Sequence, residues 1–147
     1  MGVMCLGFGL VFGYVLMAEP DGEAWRYFPL YAGMASFLTA TLCWWFFIER
    51  KGTLSAARGL WVGALTAVVA HYVCWYLQIV GANVNYWLLD GSGSSLGEAP
   101  VDLLNGIWGA AGLSLFSYLA VGLITIPAGA LIGLLCVFLV RNRVHGG

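Results

Sequence analysis

The chain has 147 residues, of which 61% are hydrophobic and 9% are charged, and its net charge is −1. A water-soluble domain usually has roughly 25% charged residues, so six basic and seven acidic side chains exclude that class. The near-zero net charge without a basic cluster also excludes a nucleic-acid-binding protein. We therefore expect an all-α integral membrane protein in contact with the lipid bilayer.

Four apolar segments are candidates for crossing the hydrocarbon core, which takes about 20 residues. The first three cover about 1–18, 28–48 and 59–80. The last uncharged run, 106–140, is too long for one perpendicular span, so we assign its second part, about 117–140, as the fourth. The pattern predicts one polytopic domain, a four-helix transmembrane bundle.

Five of the six basic residues lie on one side of these predicted spans, and the sixth, Arg26, lies in the connection between the first and second spans. Those between the second and third spans and after the fourth are Arg50, Lys51, Arg58, Arg141 and Arg143. The connection at 81–115 has three acidic residues and no Lys or Arg. Because basic residues beside short loops stay in the cytoplasm, we expect both termini to be cytoplasmic, in the cell (inner or plasma) membrane.

Small residues four apart indicate where the helices approach each other closely. The predicted spans contain three G-x-x-x-G pairs and one Ala/Ser series: Gly9 and Gly13, Gly59 and Gly63, Gly129 and Gly133, and Ala32, Ser36 and Ala40. A chain with 21 glycines also contains such pairs by chance. The motif therefore predicts close packing but does not identify which faces meet.

The connection at 81–115 contains a second, shorter helical pattern. Pro100 precedes a segment in which Val101, Leu104 and Trp108 share one helical face. This pattern predicts a short amphipathic helix, either lying on the outer membrane surface or dipping into the bundle. Four polar side chains of this connection are available to bind a molecule from the outer side: Asp90, Glu98, Asp102 and Asn105. The alternative is that they only keep the loop hydrated.

His71 is the one ionisable polar residue near the middle of a predicted span. An ionisable group at that depth is a functional-site hypothesis, and Gln78 lies on the same helix face. Three interpretations of His71 are open. In the first, the neutral ring forms a hydrogen bond with Thr39 or Thr125. In the second, His71 contacts a proton or substrate in a transport path, and in the third it ligates haem. The candidate intramembrane site is therefore His71, Gln78, Thr39 and Thr125.

No sequence motif indicates an enzyme, a metal site or a bound cofactor. The chain lacks a P-loop, an H-E-x-x-H, a catalytic triad and a C-x-x-C. We expect a non-catalytic accessory, assembly or anchoring subunit that contacts other membrane protein chains or itself. One alternative is a small oligomeric transporter or channel that uses the polar face of the third span. A second alternative is a haem- or quinone-associated redox subunit.

Overall fold

The computed structural model describes residues 1–16, 27–52, 54–89 and 98–145, and these residues are helical except at turns and helix ends. The α-helices are α1 (Gly2–Leu16), α2 (Phe28–Trp44), α3 (Ala56–Leu88), α4 (Leu103–Ser117) and α5 (Leu123–His145). Two π-helical turns extend them: π1 (Trp45–Glu49) follows α2, and π2 (Tyr118–Gly122) joins α4 to α5.

Three of the described helices are long and apolar enough to cross a membrane. They are Phe28–Glu49, Ala56–Leu88 and Leu103–Asn142. Helix α1 is apolar but has 15 residues, fewer than the others. These lengths support a membrane protein and are compatible with the predicted four-helix bundle.

The helices at the predicted connection, about 81–115, differ from the expected ones in where they begin and end. Helix α3 continues to Leu88, and the residues expected to form a separate short helix are the beginning of one continuous helix, here called the last helix (α4, π2 and α5). No proline or charged residue interrupts the chain between Leu103 and Ile126. In an apolar environment an unbroken helix satisfies its own backbone hydrogen bonds, which favours continuation over a break.

Helices α1 and α2 pack as an antiparallel pair along a seam of small residues. A Cβ atom on Gly9 would lie 2.8 Å from the carbonyl oxygen of Ala32, and one on Gly13 would lie 2.9 Å from Cα of Pro29. Since neither position has room for a methyl group, glycine is what lets the two backbones approach. The first predicted pair therefore contacts the Ala/Ser series of the second span.

Helices α3 and α5 form a second antiparallel seam in which two G-x-x-x-G pairs face each other. Gly63 lies against Gly129, and Gly59 lies against Gly133. A Cβ atom on Gly129 would lie 2.7 Å from the carbonyl oxygen of Gly63. The structure thus identifies the partner faces that the motif alone left open.

The two helix pairs meet mainly through α2 and α3. One buried cluster joins Phe28 and Ala35 of α2 to Cys74 of α3, and the rings of Phe28 and Trp75 are 6.0 Å apart. A second cluster lies at the opposite end and contains Ile48, Val62 and Val137. Helices α1 and α5, by contrast, barely touch. The helices are therefore arranged in the order α1, α2, α3, α5, with an incomplete closure between the first and last helices.

Candidate functional site

His71 is held by two hydroxyl groups of the last helix. Its Nδ1 lies 2.6 Å from Oγ of Ser117, and its Nε2 lies 2.8 Å from Oγ1 of Thr125. The hydrogen bond to Thr125 confirms one of the two partners predicted from the sequence. Both ring nitrogens are engaged, as a polar group in an apolar interior requires.

The donors and acceptors around His71 define its tautomer. Thr125 Oγ1 lies 3.2 Å from the carbonyl oxygen of Val121, to which only the hydroxyl can donate. The same oxygen then accepts from His71, so the neutral ring has its proton on Nε2. Nδ1 is left as an acceptor for the hydroxyl of Ser117. All three side chains are satisfied by this chain of hydrogen bonds without a charge.

The π2 turn places the two hydroxyls on one side of the last helix. Residues eight apart, such as Ser117 and Thr125, differ by about 80° around an unbroken α-helix, at about 100° per residue. A π turn absorbs one extra residue, which reduces this difference to about 20° on the same geometry. The turn over 118–122 therefore aligns Ser117 with Thr125, and both can reach the same imidazole.

Tyr118 closes the site beside the imidazole. Its ring lies 5.1 Å from that of His71 in an edge-to-face arrangement. Its hydroxyl donates to the carbonyl oxygen of Val68 across 2.8 Å. A buried tyrosine usually finds such a partner for its hydroxyl. The contact fixes α3 against the start of π2, one turn before His71.

Two of the predicted site residues do not join His71. The hydroxyl of Thr39 is buried and donates to the carbonyl oxygen of Ala35, one turn back in its own helix, across 2.7 Å. Gln78 lies two turns beyond His71, and its Nε2 is buried without a hydrogen-bond partner among the described residues. The structure thus brings together His71 and Thr125 and leaves Thr39 and Gln78 outside the network.

Sequence analysis missed Ser117 and Tyr118. Both residues lie at the start of the predicted fourth span, about 117–140. The spacing of the residues does not predict a π turn. The sequence therefore does not indicate that Ser117 and Thr125 lie on the same side of the helix. The adjacent Ser-Tyr pair is the only feature of that segment that suggests a hydrogen-bonding role.

A cavity of about 110 Å³ lies between the helices next to this network. Residues from α1, α2, α3, α5, π2 and the end of α4 contribute to its wall, and His71, Ser117 and Thr125 form part of it. Most of the other lining residues are apolar, including Phe12, Trp75 and Val121. The hydrogen-bonded side chains therefore border an apolar space rather than a polar channel.

Two of the four outer-loop candidates, Asp102 and Asn105, have a structural role at the start of α4. Asp102 is its N-cap: Oδ1 accepts from the backbone N–H groups of Leu104 and Asn105, each across 3.0 Å, and Oδ2 accepts from the Asn105 amide across 2.7 Å. The Asn105 N–H and side-chain amide, followed by the Leu104 N–H, hold the pKa of the Asp102 carboxyl below its usual range. Glu98 is exposed, and Asp90 lies outside the described residues.

Further hydrogen bonds fasten the beginning of α4 to α3. The Asn83 amide donates to the carbonyl oxygen of Val101 across 2.8 Å, and Gly106 gives room for Ile79, whose Cγ2 would lie 2.8 Å from an added Cβ. Pro100 precedes this region rather than opening the helix, which begins at Leu103. Asp102, as the N-cap, is therefore the residue that starts this helix.

The fold and the site define a class: an all-helical protein with the features of a membrane protein and one hydrogen-bonded histidine network. Among the described residues, no group of three or more His, Cys, Asp or Glu side chains is placed to hold a metal ion. No family model, curated protein or solved structure matches the chain.

Proposed function

We propose that the protein is a non-catalytic membrane subunit that binds another membrane protein chain through the α4 part of its last helix. The observation that supports this is a length mismatch. The apolar part of the last helix, Leu103–Asn142, has 40 residues, or about 60 Å at 1.5 Å per residue. A bilayer is about 40–45 Å thick with its headgroups, and tilting by about 40° still leaves a rise of about 46 Å.

Part of this helix must therefore extend past the hydrocarbon core. With the basic residue Arg141 at the cytoplasmic boundary, as the positive-inside rule predicts, a core of about 20–25 residues ends near Ser117. Helix α4 then lies at the outer headgroups and beyond. This placement agrees with the capped carboxylate of Asp102 at its N-terminus.

The exposed side chains of α4 are not suited to water. Leu104 and Trp108 are each 77% exposed, and Phe116 is 69% exposed, while the face toward α3 consists of Gly106, Ala110 and Ser114. An apolar surface outside the core marks a protein or membrane interaction site. Because α4 packs on α3 and makes no comparable contact with α1 or α2 in the described residues, its other sides are open to a partner.

The hydrogen-bonding of His71 gives the alternatives less support. An axial haem ligand needs a free ring nitrogen, and a proton carrier needs a group that gains and loses charge, whereas both nitrogens here are bonded to hydroxyls of the same chain. The transporter alternative would also need several copies, since four helices with an apolar interior space offer no polar path.

The test compares tagged wild-type protein with a Leu104→Glu/Trp108→Glu variant, purified from native membranes in mild detergent. We expect a stoichiometric second chain with the wild type and its loss from the variant, because carboxylates would be buried at the interface. The control is Leu54→Glu, at an exposed leucine just before the start of α3, and this variant should retain the partner. A wild-type preparation that contains only this chain contradicts the proposal, and a homo-oligomer would favour the transporter.

A further inference from the structure

We infer that the cavity beside His71 binds one acyl chain of a bilayer lipid, which enters sideways between α1 and α5. This inference rests on the membrane location of the helices and is independent of whether α4 binds a partner. It concerns the cavity of about 110 Å³ and the incomplete closure of the bundle.

The wall of the cavity favours an apolar occupant. Four of its polar side chains already use their donors: Thr66 donates to the carbonyl oxygen of Val62 in its own helix, and His71 is bonded to Ser117 and Thr125. No hydrogen-bond donor of these four is left for a polar ligand. Apolar cavities of about 150 Å³ stay free of water and take up small hydrocarbons, so a space of this size suits the end of an alkyl chain.

Glycines keep the space open. Gly9 and Gly13 of α1 and Gly129 of α5 all line the cavity. The same glycines make the close helix contacts of the two seams, so a larger residue at any of them would push the helices apart. The two seams therefore draw each helix pair together and leave the volume between the pairs unfilled.

The entrance lies between α1 and α5. These helices approach where Sγ of Cys136 is 3.6 Å from Sδ of Met4. Beyond that contact the cavity is bordered by α1 residues from Phe8 to Leu16 and by Val121 and Ile132 of the last helix. In a membrane this side of the bundle faces lipid tails. A tail gains no transfer free energy by moving from lipid to an apolar cavity, but it restores the dispersion contacts that a void would lack.

The experiment uses the full-length protein in phosphatidylcholine vesicles that contain a lipid with a photoactivatable diazirine at the end of one acyl chain. We expect light-induced adducts at Trp75 and Val121, which line the cavity, as well as at lipid-facing Leu119, but none at fully buried Val62. A diazirine close to the headgroup should label the cavity residue Ile132 far less, because Ile132 lies near the middle of the segment 117–141 that we place in the hydrocarbon core. Both results are obtained with the wild type and need no variant.

A matched pair of variants locates the binding more closely. Ala70→Phe places a ring in the cavity and should lower labelling of Val121 at least roughly five-fold, since an occupied space excludes the chain. Ala120→Phe adds the same ring to an exposed position next to Val121 and should leave it unchanged. Wild-type labelling of Trp75 and Val121 no higher than that of Val62 overturns the inference. So does unchanged labelling of Val121 in a folded Ala70→Phe protein.

Discussion

At the scale of single residues, His71 illustrates how an apolar helix accommodates an imidazole. The ring has one donor and one acceptor in its neutral form, and the last helix supplies one hydroxyl for each. Thr125 also donates to Val121, so the network ends on a backbone carbonyl. The arrangement removes the cost of an unpaired polar group in an apolar interior without introducing a charge.

The coupling between His71 and Thr125 can be measured. Thr125→Val removes the hydroxyl while keeping the shape of the side chain, and His71→Ala removes the ring. We expect the double-mutant cycle to give a coupling free energy of about 0.6 kcal/mol, and no more than about 1.7 kcal/mol, as for other interhelical hydrogen bonds in membranes. The readout is the free energy of unfolding in mixed micelles.

The control for this cycle is Thr39→Val, because Thr39 bonds within its own helix. Its effect should add to that of His71→Ala without coupling. A coupling with Thr39 as large as that with Thr125 would show that the measured term is not the interhelical hydrogen bond.

Of the three hydrogen-bonded side chains in this network, His71 and Thr125 were predicted from the sequence and Ser117 was not. His71 stands out because it is ionisable and sits in an apolar run, and Thr125 matches it in predicted depth. Thr39 matches equally well, but threonine in a helix readily bonds to the carbonyl four residues earlier, and depth alone does not separate the two cases. The contact of Ser117 with His71 depends on the π2 turn, which the spacing of residues in the sequence does not predict.

At the scale of helices, the glycine pairs determine the two closest contacts in the bundle. Their spacing was visible in the sequence, and their partners were not, because every G-x-x-x-G pair has the same pattern. Only the antiparallel order of the folded helices places Gly59 and Gly63 opposite Gly133 and Gly129. The sequence thus predicted the mode of contact, and the tertiary structure selected the pairing.

Gly63→Ala tests the α3–α5 seam. Its Cβ would collide with the backbone carbonyl of Gly129, which cannot move away as a flexible side chain would. We expect the variant to lose about 1–3 kcal/mol of unfolding free energy, the usual cost of overpacking. Thermal unfolding in detergent gives the comparison.

Gly112→Ala is the matched control, since a Cβ there meets nothing within 4 Å. The substitution should be neutral or should stabilise by about 0.5–1 kcal/mol, as alanine does in a helix interior. Equal destabilisation by the two variants would mean that the seam does not depend on close backbone approach.

The last helix shows that the length of a membrane span does not predict where a helix begins. The uncharged run of 35 residues was divided because one perpendicular span needs only about 20–25. The structure keeps it whole and begins it even earlier, at Leu103. Bilayer thickness limits how much of a helix lies in lipid, and it sets no limit on the length of the helix itself.

At the scale of the whole molecule, charged and aromatic residues agree on one arrangement. Arg50 and Lys51 follow π1, and Arg141 lies near the end of α5, so these bases share one end of the antiparallel bundle. Exposed rings of Trp61 and Trp87 lie near opposite ends of α3. Indole rings favour the two membrane interfaces, which fits a bundle crossing the bilayer with both termini on the basic side.

Single-cysteine labelling tests this orientation. In a variant without its four native cysteines, Lys51→Cys and Glu98→Cys place a thiol at exposed positions at opposite ends of the bundle. In intact cells, an impermeant maleimide should label the thiol at 98 and spare that at 51, since basic loops are retained inside. Opening the cells should expose both. The reverse pattern would contradict the predicted orientation.

The two glycine seams have a consequence for how the chain assembles as it is made. Each seam joins helices that are consecutive among the four predicted spans, α1 with α2 and α3 with α5. Each seam can therefore close once its second helix has left the ribosome, and the N-terminal hairpin can form before α5 has been synthesised. Because these contacts are local in sequence, little loop entropy opposes them. Joining α2 to α3 then becomes the step that converts two preformed hairpins into one bundle.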